Sequence, residues 1–120
     1  MENRRSFIWK SALVASRAVP VLGANDRVNV AVVGLGGRGT AHIDLAARQA
    51  NCRIAAVCDV NQAAQERAVA RVEKLQGQKP TVHGEMRRLL EDKQIDAVFV
   101  ATPNHWHALG MIWACQAGKD

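Results

Sequence analysis

The sequence predicts an α/β protein, a parallel sheet with helices wound over both of its faces. Three observations carry this. Short, β-branched or apolar runs at Val28–Val33, Arg53–Val60 and Ile95–Ala101 alternate with longer stretches of helical periodicity. The connections are only a few residues long. Glycines 34, 36, 37 and 39 fall where the first strand gives way to the first helix. Crossovers between parallel strands are right-handed, so the order β-α-β-α-β-α-β-α predicts a doubly wound sheet of strand order 3-2-1-4.

Each element has its own signal. Val28-Asn29-Val30-Ala31-Val32-Val33 reads as a buried parallel strand because it is β-branched and short. Thr40 to Ala50 sets Ile43, Ala46, Ala47 and Ala50 on one helical face and leaves His42, Arg48 and Gln49 for solvent. Arg53–Val60 is the second strand. In Asn61–Gln76, Ala64, Ala68, Val72 and Leu75 recur every three or four residues, and Gly77 ends the helix. A third strand is predicted at Thr81–His83, a short helix at Glu85–Glu91, and a fourth strand at Ile95–Ala101, stopped by Pro103. A last helix runs from His105 to Gln116, with Gly118 beyond it and Trp106 and Trp113 packing on one face.

Composition narrows the function classes. The chain has 120 residues, one domain's length, and 48% of them are hydrophobic, which excludes a disordered tract. The net charge is +5, but Arg4, Arg5, Lys10, Arg17 and Arg27 against Glu2 and Asp26 put most of the excess near the N-terminus. Tyr is absent and aromatics make up 4%, so the basic stripe interleaved with aromatics that marks a nucleic-acid binder is missing. Cys52, Cys58 and Cys115 are odd in number, form no C-x-x-C pair and lie in apolar stretches. They read as buried small hydrophobes.

Residues 1–26 read as a leader. Arg4-Arg5 precedes Phe7-Ile8 and Lys10, and an apolar stretch to Ala24 follows, a pattern that resembles a bacterial twin-arginine export signal with a periplasmic destination. Arg17 interrupts the stretch and Leu22-Gly23-Ala24 is a poor cleavage site. A basic extension on a cytoplasmic enzyme is therefore the alternative. The stretch falls short of the about 20 apolar residues a bilayer span requires, so no stable membrane insertion is expected.

The chemistry is carried by Gly34-Leu35-Gly36-Gly37-Arg38-Gly39, which satisfies G-x-G-x-x-G. Gly34 permits the tight turn, Gly36 lets a pyrophosphate approach the backbone, and Gly39 lets the helix pack on the sheet. Amides of the helix's first turn, aided by its dipole, then face the phosphates. Asp59 ends the next strand, where this Rossmann-like pattern expects an acid for a ribose hydroxyl; the plain alternative is that it only caps the following helix. A carboxylate there favours NAD, since it repels the 2′-phosphate of NADP, although Arg38 keeps NADP open.

A second constellation, Ala101-Thr102-Pro103-Asn104-His105-Trp106-His107, follows the fourth strand at the carboxyl end of the sheet, where open α/β sheets bind ligands. Its plain reading is a helix-capping turn with surface imidazoles. His105 and His107 point apart at their spacing and have no third partner, so no metal site is assigned.

These stretches, with Val57-Cys58-Asp59-Val60 and Ala117-Gly118-Lys119, resemble the N-terminal part of the Gfo/Idh/MocA family, relatives of glucose-fructose oxidoreductase and inositol dehydrogenase. The resemblance implies an NAD(P)-dependent oxidation or reduction of a sugar, cyclitol or related compound. It also implies a second α/β domain for substrate and subunit contacts, hence a homo-oligomer. Carried over by position, Gly34, Leu35, Gly36, Gly37, Arg38, Gly39 and Asp59 would hold the adenosine side of the dinucleotide. Ala101, Thr102, Pro103, Asn104 and His107 would line the nicotinamide-ribose side. The family's E-K-P lysine and second-domain histidine are expected past Asp120, so no catalytic residue is assigned here. The predicted domain, residues 27–120, is then incomplete, with four strands where about six are usual. A non-catalytic nucleotide-binding or sensor fragment is the alternative.

Overall fold

The computed structural model describes residues 27–120, and the leader reading for residues 1–26 lies outside the described residues. The elements are β1 (Val28–Val33), α1 (Gly37–Ala47), β2 (Cys52–Cys58), α2 (Gln62–Gln76), β3 (Thr81–His83), α3 (Met86–Leu90), β4 (Ala97–Val100) and α4 (Asn104–Gln116). All strand pairs are parallel and the sheet order is β3-β2-β1-β4, as the crossover rule requires. Asp120 adds one further rung: its N–H donates to the Asp96 carbonyl at 3.0 Å, and its carbonyl accepts from Val98 N–H at 2.7 Å, the parallel pattern on β4's outer edge.

Strand alternation sorts the apolar residues into two cores. Val30, Val32, Ile54 and Val57 face α1 and α2, where they meet Ile43, Ala46, Ala64, Ala68 and Val72. Ala31, Val33, Ala56 and Cys58 face α3 and α4, against Met86, Leu89, Leu90 and Ala114. Each fully buried Ile, Leu or Val contributes roughly 1.5–3 kcal/mol. The β1–β2 register shifts between Val30 and Ala31, so Val30 pairs with Ile54 but Ala31 pairs with Ala56. Ala55 is thus the extra residue of a bulge, and its carbonyl accepts from the Thr81 hydroxyl at 3.0 Å.

Helix ends follow local chemistry. Asn61 caps α2 by accepting from Ala64 N–H at 3.2 Å, and Gly77 closes it in the left-handed region at φ 81°. α4 ends in a Schellman turn: Lys119 N–H donates to the Ala114 carbonyl and Gly118 N–H to the Cys115 carbonyl, with Gly118 at φ 74°. The Lys119 ammonium then donates to the Asp92 carbonyl at 2.7 Å, tying α4 to the loop before β4.

Several positions depart from the periodicity reading. α1 starts at Gly37, three residues before Thr40, since glycines score poorly for helix even where a helix begins. It ends at Ala47, which leaves Ala50 exposed. β2 stops at Cys58, and Val60 is 91% exposed. β4 is shorter than the apolar run, with Ile95 buried ahead of it. His42, expected outward, stacks on Phe99 with ring centroids 5.2 Å apart because α1 leans over β4. Cys115 is exposed and Cys52 only half-buried, so of the three thiols Cys58 alone is a buried hydrophobe.

Leu75 is also exposed, because Gln76 is the side chain of that turn that reaches inward. β3 pairs only with Ala56, Val57 and Cys58, leaving Ile54 with β1 on one side and no strand on the β3 side among the described residues. Gln76 substitutes for one: its amide accepts from Ile54 N–H at 3.1 Å and donates to the Ile54 carbonyl at 2.8 Å. Gln76→Ala strands both backbone groups and is expected to lower unfolding free energy by about 1–3 kcal/mol in urea titration. An unchanged midpoint would show that water replaces the side chain without loss.

Candidate functional site

The glycine turn is built by three separate steric demands. Gly34 has φ +90° and donates to the Cys58 carbonyl at 2.8 Å. A Cβ there would lie 2.6 Å from the Ala101 carbonyl carbon and oxygen, so β4's end also presses on this residue. A Cβ at Gly39 would stand 1.8 Å from the Gly34 carbonyl oxygen, so α1 rests directly on the turn. Gly36 and Gly37 differ from both. A Cβ on either would meet nothing within 4 Å.

That open side is where the start of α1 faces. Gly36 is the N-cap, makes no side-chain cap bond, and the first turn holds no acidic residue. An uncapped first turn presents amides and positive dipole to whatever approaches it. Leu35 contributes differently from its neighbours: its side chain is buried in the core, and its N–H donates to Asp59 Oδ2 at 2.8 Å. Arg38 is exposed on the helix.

Asp59 leaves the end of β2 with both oxygens engaged. Oδ1 accepts from Asn61 N–H at 2.9 Å while Oδ2 holds Leu35, so the carboxylate links the glycine turn to the start of α2. The helix cap itself is Asn61, so Asp59 holds the capping residue's N–H rather than capping α2. Each carboxylate oxygen retains a free lone pair, so a hydroxyl donor can still be accepted.

A cavity of about 380 Å³ opens beside Asp59 at the carboxyl ends of β1, β2 and β4. Gly34, Cys58, Asp59 and Val60 form one wall, Thr102, Pro103 and Trp106 a second, and Glu85, Met86, Arg87 and Trp113 a third. Thr102 and Pro103 thus share a cavity with Asp59, which the sequence had put on the opposite half of the dinucleotide. Ala101 is held by main chain, its N–H on the Val33 carbonyl at 2.7 Å. Asn104 opens α4. His107 lies outside the lining, and its Nε2 is buried without a partner among the described residues, as is Thr102 Oγ1.

The sequence reading missed the third wall. Glu85 and Arg87 follow β3, and the rule that ligands gather at the carboxyl ends of parallel strands applies there as well as after β1, β2 and β4. The tryptophans were expected to pack. Trp113 does, with the Arg87 guanidinium 5.4 Å from its ring centroid, but Trp106 is 48% exposed and both line the cavity.

Burial pushes the Cys58 thiol up to about 11, with the nearby carboxylates of Asp59 and Glu85 adding to the shift. It stays protonated at neutral pH and is a poor nucleophile. In a timed reaction with a disulfide reagent at neutral pH, exposed Cys115 is expected to label first and Cys58 only on unfolding. Labelling of Cys58 at the rate of Cys115 in the folded protein would contradict this burial.

Residues 28–120 match the model of the Gfo/Idh/MocA oxidoreductase family, NAD-binding Rossmann fold. The chain belongs to that family. Gfo/Idh/MocA relatives that it resembles include a glycosyl hydrolase family 109 protein of Stenotrophomonas maltophilia, 35% identical over 97% of this chain and 28% of its own. An alpha-N-acetylgalactosaminidase of Shewanella oneidensis is 34% identical over 77% of this chain and 21% of its own. Among solved structures, myo-inositol dehydrogenase from Lactobacillus casei, in complex with NAD(H) and myo-inositol, superposes with a TM-score of 0.70. It is 32% identical over 78% of this chain and 26% of its own. Scyllo-inositol dehydrogenase from the same organism, with bound NAD(H) and scyllo-inositol, gives a TM-score of 0.67 and 26% identity over the same shares. The chain spans about a quarter of the length of these relatives. The matched region is the family's NAD-binding Rossmann domain.

Proposed function

We propose that this chain holds NAD for an enzyme that moves hydride to or from a carbinol carbon of a sugar, cyclitol or related compound. The pyrophosphate lies on the glycine turn and the adenosine ribose at Asp59. The observation that carries this reading is the uncapped start of α1 with Gly36 and Gly37 bare toward open space. A diphosphate needs amides it can reach without side chains in the way. Asp59, fixed by two backbone N–H groups beside the cavity, supports the ribose assignment.

Bound NAD supplies the hydride acceptor, the nicotinamide ring. The chain's own residues bind and orient. Thr102 Oγ1 and His107 Nε2 are buried polar atoms awaiting a partner, which supports the β4–α4 turn as a further contact for cofactor or substrate. The proton-transfer groups are proposed to come from the remainder of the full-length enzyme.

A second reading is favoured by the glycosidase names of the relatives at 34–35% identity. Bound NAD would there supply a hydride acceptor that is restored within each cycle, so a glycoside would be cleaved with no net oxidation, unlike in a dehydrogenase. Assay of the full-length protein with polyols and with glycosides separates the two: accumulating NADH marks a dehydrogenase, and aglycone release without net NADH marks a glycosidase. Neither signal in the presence of NAD would leave only a binding module.

Two substitutions test the cofactor site. Gly36→Val puts a branched side chain into the open space, so dinucleotide binding is expected to fall at least about 100-fold while the thermal midpoint moves little. Retained affinity would move the pyrophosphate elsewhere. Asp59→Ala is expected to weaken NAD more than NADP in calorimetric titration, because it removes both a ribose partner and a charge that repels a 2′-phosphate. Equal loss of both would reduce Asp59 to a prop for Leu35.

A further inference from the structure

We propose that the Glu85–Arg87 pair on the third wall of the cavity tunes the choice between NAD and NADP: Glu85 masks Arg87 and, together with Asp59, keeps a ribose 2′-phosphate out. The inference rests on the assignment of the adenosine ribose to Asp59 made above.

Among the described residues, the charged side chains that line the cavity are Asp59, Glu85 and Arg87. Arg38, the cation that sequence proximity suggested for a 2′-phosphate, does not line it. Arg87 is the one cation among the described residues of the lining, and its Nε–Nη2 edge is already engaged. Its Nε and Nη2 both lie on Glu85 Oε1, and one face of the guanidinium covers the Trp113 ring at 5.4 Å. One edge of the fork that could grip a phosphate is thereby turned onto a carboxylate.

Two carboxylates against one guanidinium leave the cavity with a net charge of −1. Asp59 and Glu85 both bear on the Cys58 thiol at its wall, so their fields overlap inside the cavity. A 2′-phosphate brings about −1.5 to −2 more charges. NAD, with neutral ribose hydroxyls at that end, escapes this repulsion.

The pair is exposed at its outer side, with Arg87 66% and Glu85 49% accessible. Exposed pairs of this kind contribute little to stability, so removing either partner is expected to leave the fold intact. What changes is the charge that a ligand meets.

The experiment is calorimetric titration of the intact protein with NAD and, separately, with NADP, for wild type, Glu85→Gln and Arg87→Gln. Glu85→Gln frees the guanidinium and neutralises the cavity, so the preference for NAD over NADP is expected to narrow about tenfold, almost wholly through tighter NADP. Arg87→Gln leaves two carboxylates unopposed, and the preference is expected to widen by a similar factor. Both changes should shrink at high salt, which a purely structural effect would not do. If wild type binds NAD but the ratio in both variants stays within about threefold of wild type, a change too small for a unit charge at close range, this inference is overturned and the cofactor reading stands. A wild type that prefers NADP overturns it as well. A wild type that binds neither dinucleotide overturns the cofactor reading, and this inference with it.

Discussion

α1 rests on the main chain of the turn that precedes it, with no side chain between them. Gly39 can sit against the Gly34 carbonyl because it carries no Cβ, and Gly34, equally bare, admits the close approach of β4's end at Ala101. The glycine turn, the start of α1 and the sequence-distant end of β4 therefore meet backbone to backbone at one point. The strand directions, the tilt of α1 and the exposure of its first amides follow from that contact. A methyl group at Gly39 would push the helix off the turn and take the phosphate-facing amides with it, and one at Gly34 would push away β4's end.

Asp59 extends the same logic by one residue. Charged groups near a helix start are usually caps, yet here the carboxylate spans two elements, one oxygen on the glycine turn and one on the residue that caps α2. Its Coulombic effect on a ligand and its mechanical effect on the turn are thus inseparable in a single structure. The neighbouring cavity collects side chains from after all four strands, which is the general consequence of parallel strands ending on one side.

Elsewhere the fold manages incomplete pairing with side chains. Gln76 stands in for a strand beside Ile54, and the Thr81 hydroxyl satisfies the bulged Ala55 carbonyl. Arg71 makes a two-point bond to Asp44 across the α1–α2 contact, and that bond holds the Asp44 carboxyl below its usual range. The outer face of α4 is different. Leu109, Met111 and Ile112 are exposed there.

The sequence by itself determined the parallel α/β class, the strand order and the glycine turn, because alternation, short connections and the steric uniqueness of glycine are local properties. It located Asp59 at a strand end for the same reason. It misjudged His42, Leu75 and Cys115, whose surroundings depend on how far each helix extends and which way it leans over the sheet. It also missed Glu85 and Arg87, since their approach to Asp59 is a consequence of β3 lying beside β2. Which charges share a cavity is decided by strand adjacency, a long-range pairing that no window of neighbouring residues encodes.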